Sequence, residues 1–137
     1  MQQNSKKPQP ATLLLIDIDQ FKQINDQFGH ITGDDVLCEV AKQLKEISGE
    51  NAIIGRLGGD EFAVIIKAPF EQAKTLATDI TKMVRNINIP DAKNLSCSSS
   101  IGMAEMKNAE GDLRKWIEAA DRLLYKAKST GRDRFVH

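Results

Sequence analysis

The sequence predicts an α+β sandwich built on a mixed or largely antiparallel sheet. Three observations carry that expectation. Short apolar runs of strand length alternate with longer segments of helical periodicity. Two of the runs flank Gly58-Gly59, which marks a hairpin. The resulting order, β-α-α-β-β-α-β-α-β, interleaves helices with a hairpin and does not repeat a βα unit.

Ala11 to Ile18 is a short apolar run ending in carboxylates and reads as a buried strand. Gln20 to Gln27 follows as a short helix closed by Gly29. Thr32 and Asp35 have the spacing of a capping box and should open a longer helix. Its inward stripe is Val36, Leu37, Val40, Ala41, Leu44 and Ile47, and Gly49 ends it. Ala52 to Leu57 and Glu61 to Lys67 read as the hairpin strands, with glycine supplying a positive φ between them. Phe70 to Ile87 is amphipathic, with Ala73, Leu76, Ala77, Ile80, Met83 and Val84 on one face, and Pro90-Asp91 breaks it. Leu95 to Ala104 is a serine-rich strand. Asp112 should cap a last helix that turns Trp116, Ile117, Ala120, Leu123, Leu124 and Ala127 inward. Gly131 ends that helix, and Arg134-Phe135-Val136 forms a final short strand.

The 137 residues suit one domain, residues 11–137, behind a polar stretch over residues 1–10. That stretch reads as a disordered lead-in or a leftover of expression. Nineteen basic residues balance nineteen acidic ones, which gives no electrostatic case for a nucleic-acid or anionic-membrane partner. No apolar run approaches the roughly 20 residues of a membrane helix. Cys38 and Cys97 lack the spacing of a metal site and read as reduced thiols in a cytoplasmic domain.

The chemistry-bearing residues are carboxylates at strand ends. Asp17 and Asp19 alternate with Ile18 and so share a face. Asp60-Glu61 follows the glycine turn. If the hairpin packs beside the first strand, Asp17 and Asp60 meet, and two carboxylates side by side call for a cation. Hard oxygen ligands favour Mg²⁺, with Mn²⁺ as a substitute, and such an ion completes its shell from substrate phosphates. Taken by spacing alone, these residues are better explained as turn acids at strand ends than as metal ligands.

The pentapeptide Gly58-Gly59-Asp60-Glu61-Phe62 has a chance frequency on the order of one in a million per position. With Asp17-Ile18-Asp19-Gln20-Phe21-Lys22-Gln23-Ile24-Asn25-Asp26, Gly29-His30, Gly33-Asp34, Ser100-Ile101-Gly102, Ala120-Asp121, Leu124-Tyr125, Ala127-Lys128 and Gly131-Arg132, it resembles the GGDEF family of bacterial diguanylate cyclases. The resemblance runs from about residue 11 to the end. It implies a palm-like fold, of the ferredoxin-like nucleotide-cyclase kind. It also implies condensation of two GTP into the signalling molecule cyclic di-GMP, with release of two pyrophosphates.

By resemblance, Asp17, Asp60 and the backbone carbonyl of Ile18 bind Mg²⁺, while Asp60 or Glu61 takes the proton of the attacking hydroxyl. Asp19 is either a further ligand or a supporting hydrogen-bond partner. Asn25 and Asp34 read guanine, whose Watson–Crick edge presents donors where adenine has an acceptor. The amides of Phe21 and Lys22, the Lys22 side chain, and Lys128 and Arg132 at the end of the last helix hold phosphates. His30 and Trp116 are structural.

Three departures from the family stand out. The Arg-x-x-Asp product-inhibition motif falls on Gly49 and Ala52, so no primary inhibitory site is expected. The helix and Asp-x-Leu-Thr-Gly-Leu-x-Asn-Arg segment usual ahead of the first strand has no counterpart in the ten leading residues, as in a trimmed domain or a short member. Asp133 replaces the familiar Asn after Gly131-Arg132 and brings a negative charge beside the arginine. The resemblance implies action as a homodimer, because each domain would hold one substrate, and the isolated domain is expected to be monomeric. The alternative reading is a catalytically weak GTP-binding regulatory module.

Overall fold

A central strand buried on both faces organises the molecule. The computed structural model describes residues 9–109 and 111–137, so most of the expected lead-in, residues 1–8, lies outside the described residues. Strand β1 is Thr12–Ile18. Helices α1, Phe21–Phe28, and α2, His30–Ser48, follow. Strands β2, Ala52–Gly58, and β3, Glu61–Ile66, make the hairpin, and α3 is Phe70–Arg85. Strand β4 is Ser99–Glu105, a 3-10 turn spans Met106–Ala109, α4 is Leu113–Ser129 and β5 is Arg134–Val136. The sheet order is β2-β3-β1-β4-β5, antiparallel except for the parallel β4–β5 pair. The expected order of elements and the mixed sheet are both found.

Every residue of β1 is buried because helices cover both faces of it. Leu14, Ile16 and Ile18 join Phe62, Val64, Ile101 and Met103 under α2 and α3. Leu13 and Leu15 face α4 with Trp116, Ala120 and Leu124. The alternation therefore sends Asp17, two residues beyond Leu15, to the α4 side at the open end of the strand. Trp116 is core, as expected, and its indole Nε1–H donates to the Ala104 carbonyl at 2.6 Å.

Several local expectations are corrected. The Thr32–Asp35 capping box does not form: α2 begins at His30, with Gly29 as its N-cap and no side-chain cap. Gly29, at φ 93°, serves both helices instead. Its N–H donates to Asn25 O at 2.8 Å to close α1, and its carbonyl accepts from Gly33 N at 3.1 Å to open α2. Thr32 thus falls inside the first turn. The fourth strand starts at Ser99, and residues 95–98 form a loop. Ala41, Ile47 and Ile117 face solvent because their helices bury a narrower stripe than the periodicity suggests. Asp112 caps α4 as expected, accepting from Arg114 N at 2.9 Å and Lys115 N at 3.3 Å. Both cysteines are free.

Candidate active site

The end of β1 gathers the site. The Ile18 N–H donates to the Asp60 carbonyl at 3.2 Å and ties the hairpin turn to the strand end. Asp17 lies opposite Glu61 in the β1–β3 register and opposite Ser100 in the β1–β4 register. Asp17 and Asp60 come within interacting reach, as expected. The glycines of the turn work differently from expectation. Neither Gly58 nor Gly59 takes a positive φ, and a Cβ on either would meet nothing within 4 Å. They leave the backbone bare toward solvent. The turn is shaped instead by a one-residue irregularity at Leu57 and by Arg56. The Arg56 guanidinium donates to Gly59 O, at 2.6 Å from Nη2, and to Gly58 O at 3.2 Å from Nε. Arg56 matched the family pattern, but its clamp was not foreseen, because the spacing says nothing of where its fork points.

Asp17 is buried, and its Oδ1 has no hydrogen-bond partner among the described residues. Its Oδ2 is paired with the Lys128 ammonium from α4. Burial pushes the Asp17 carboxyl up to about 6; the Lys128 hydrogen bond pulls it down, and the Asp60 charge raises it. Burial opposes the charge of Lys128, but Asp17, Asp60 and Glu61 hold its ammonium above the usual range. Lys128 was expected at a phosphate. Its ammonium lies beside the carboxylates, a placement that only the crossing of α4 over β1 reveals. Glu61 is also raised, first by burial and then by the Asp121 carboxylate on α4. Asp121 had been noted as a matching residue without a role.

Asp19 is a hub. Its Oδ2 accepts from Ser98 Oγ at 2.6 Å and from the Asp133 N–H at 2.9 Å, and its Oδ1 accepts from Ser100 Oγ at 2.6 Å. These three hydrogen bonds are what the supporting role would require of Asp19. Its partners come from a loop, β4 and the turn after α4. Their serines and backbone amide gave no sequence signal that separated them from ordinary strand and turn residues.

The phosphate candidates lie around this hub. Helix α1 opens without a side-chain cap, behind Gln20 in a left-handed conformation (φ 53°, ψ 39°), and no acid sits in its first turn. The amides of Phe21 and Lys22 are therefore uncapped by side chains, and the Lys22 side chain is exposed. Arg132 lies past α4, in a turn where it and Asp133 both have positive φ, and its N–H donates to Ala127 O at 2.9 Å. The Asp133 carboxylate beside it accepts from Arg85 Nε at 2.8 Å, so the charge that replaces the familiar Asn has a partner on α3. Asn25 and Asp34 flank the α1–α2 corner: Asn25 is partly buried with its Oδ1 unpartnered, and Asp34 is exposed.

Among the described residues no three acidic, His or Cys side chains converge as a ready metal site. Two carboxylates, one with an orphaned buried oxygen, and a lysine standing in as counter-charge still fit a hard divalent ion that takes its other ligands from backbone and phosphate.

The sequence matches the family described as diguanylate cyclase, GGDEF domain, over residues 1–134. It is 40% identical over 125 residues to a probable diguanylate cyclase, DgcC, of Escherichia coli K12, covering 90% of this chain and 34% of that protein. It is 36% identical over 133 residues to diguanylate cyclase A of Treponema denticola, covering 96% of this chain and 36% of that one. The chain thus spans about a third of the length of these curated relatives. The active GGEEF domain of a Vibrio cholerae diguanylate cyclase superposes with a TM-score of 0.86 at 34% identity, covering 93% of this chain and 82% of that one. The GGDEF domain of DgcB from Caulobacter crescentus, solved with c-di-GMP, gives 0.84 at 30% identity, covering 93% and 77%. With the family matched over nearly the whole chain and the fold shared with its solved members, this chain belongs to the GGDEF domain family of diguanylate cyclases.

Proposed function

We propose that this domain condenses two GTP molecules into cyclic di-GMP, releasing two pyrophosphates, when two copies face each other across a two-fold axis. The observation that carries this reading is the meeting of Asp17 and Asp60 at the end of β1, with a buried, unpartnered Asp17 oxygen beside them. Asp17, Asp60 and the Ile18 carbonyl would hold Mg²⁺, or Mn²⁺ in its place. The ion, when bound, offsets triphosphate charge and makes the 3′-hydroxyl more acidic. Asp60 or Glu61 takes the proton of that hydroxyl. The 3′-oxygen of each GTP bonds to the α-phosphorus of the other, and each α-phosphorus loses pyrophosphate. Asn25 and Asp34 read the guanine. The Phe21 and Lys22 amides, Lys22 and Arg132 would hold the β- and γ-phosphates, and Lys128, paired with Asp17, would supply a further cation to them. Arginine suits this task because its fork binds phosphate bidentately.

Gly49 and Ala52 supply no side chain to clamp the product, so the domain has no primary inhibitory site. A reaction that consumes GTP belongs in the cytoplasm, and no described helix is long and apolar enough to cross a membrane. Incubation with GTP and Mg²⁺, followed by chromatography, tests the reading. Cyclic di-GMP and pyrophosphate should form, and Asp60→Ala should abolish both while leaving the melting profile near that of the parent. Nucleotide binding without product at high protein concentration would favour a binding module instead. Turnover retained by Asp60→Ala would refute the metal assignment.

A further inference from the structure

Gly33 has no backbone reason to be glycine. It lies in the first turn of α2 and does not take a positive φ. Glycine is unfavourable against alanine in a helix, so something else must require it. The reason is across the corner on α1. A Cβ at Gly33 would fall 1.8 Å from Asn25 Oδ1, 3.0 Å from Asn25 Cγ and 3.2 Å from the tip of the Phe21 ring. The Asn25 amide thus fills the space a side chain at Gly33 would take. Its Oδ1 is buried there with no hydrogen-bond partner among the described residues. Shape, and not a hydrogen bond, therefore fixes the amide at the α1–α2 corner, one residue along the chain from Asp34.

We propose that Gly33 is a base-selecting residue. By lacking a side chain it forms the seat that holds the Asn25 amide beside Asp34 for the purine of a nucleoside triphosphate. This rests on the assignment of Asn25 to guanine recognition made above. Gly33 touches no base itself and is a positioning residue, so its effect must appear in discrimination between bases and not only in stability. A residue that merely lets α1 and α2 pack closely would, when enlarged, weaken all nucleotides alike.

The test uses 3′-deoxy-GTP and 3′-deoxy-ATP with Mg²⁺, which bind but lack the attacking hydroxyl, so calorimetry reads affinity without turnover. Gly33→Ala, Asn25→Ala and the double variant are compared with the parent. Displacing the amide forfeits a hydrogen bond of ordinary strength, so Gly33→Ala should lose roughly tenfold in affinity for the guanine nucleotide. Affinity for the adenine nucleotide should hold. The guanine-to-adenine ratio should fall to that of Asn25→Ala, and the double variant should be no worse than Asn25→Ala alone. If Gly33→Ala keeps the parental ratio, or weakens both nucleotides equally while Asn25→Ala changes the ratio, the proposal is overturned and the guanine reading stands. If Asn25→Ala leaves the ratio unchanged, the guanine reading fails and takes the proposal with it. Should Gly33→Ala not fold, the double variant decides the matter. Removing the amide removes the closest clash and should restore the melting transition, and failure to restore it would show that Asn25 is not what the seat holds.

Discussion

At the scale of single residues, the site holds a charge at a cost. Asp17 has a folded pKa of about 6 against an ordinary 3.8. The folded protein therefore binds this proton more tightly than the unfolded chain does. The stability from this group is fully present below about pH 4 and is lost as pH rises through 6. Asp17→Asn removes the titration. In metal-free buffer, denaturant unfolding should show the parent losing stability relative to Asp17→Asn between about pH 4 and 6.5, with the variant the less affected. A difference that is flat across that range would mean the carboxyl is not held in this way. The same variant should be unable to make product, which is the usual trade where function requires a charge that folding disfavours. Strand alternation in the sequence indicated that Asp17 and Asp60 sit at strand ends. It could not indicate that Lys128 pairs with Asp17, or that Ser98, Ser100 and Asp133 donate to Asp19, because those contacts join segments about 80 to 114 residues apart.

At the scale of elements, the sequence pattern located the four α-helices and five strands of the described residues but not the 3-10 turn at Met106–Ala109, while the junctions followed local backbone chemistry that pattern alone does not fix. Thr32 has the capping-box partner but not the place, since Gly29 already turns the chain between two helices. The reverse holds at Asp112, where nothing competes and the cap forms. Helix α4 seats on β4 at Gly102, quoted in the sequence only as part of a motif. A Cβ there would meet Ala120 O and Leu124 N, both at 2.2 Å, and these are backbone atoms that cannot swing aside. Gly102→Ala must therefore lift α4 from the sheet and disturb Trp116 and Lys128 with it. A destabilisation of roughly 2–4 kcal/mol is expected, in the range of strained cores. Thermal unfolding reads it directly, and a change below about 1 kcal/mol would contradict the close approach. The β2 region adds a functional expectation. Gly49 follows α2 and Ala52 opens β2, and neither bears a group able to bind phosphate. Cyclic di-GMP added in the low micromolar range should leave the rate flat, whereas strong noncompetitive inhibition mapped to these positions would refute it.

At the scale of the whole molecule, the decisive quantity is how often two copies meet. The site proposed on β1, α1, α2 and the turn after α4 has one pair of carboxylates and one candidate purine corner, which would serve a single GTP. In the proposed reaction the product would join two nucleotides, each attacking the other's α-phosphate, so a two-fold pair of domains would be the smallest unit able to close both bonds. The sequence conveyed this stoichiometry through its single set of motifs, but a surface that holds copies together is not legible in it: the described helices carry amphipathic stripes for the domain's own core and no sustained heptad. The isolated domain should be monomeric when dilute. The dimer fraction then rises in proportion to protein concentration, and specific activity should rise with it. A hundredfold dilution series with light scattering alongside measures both. Fusing a parallel leucine zipper ahead of Ala11 should raise specific activity most at the dilute end, because the second copy is then present at a fixed effective concentration whatever the bulk value. Linker length has to let the two β1 ends face each other, so two or three lengths should be compared. Specific activity that stays constant while scattering reports only monomer would rule out a two-domain reaction for this chain.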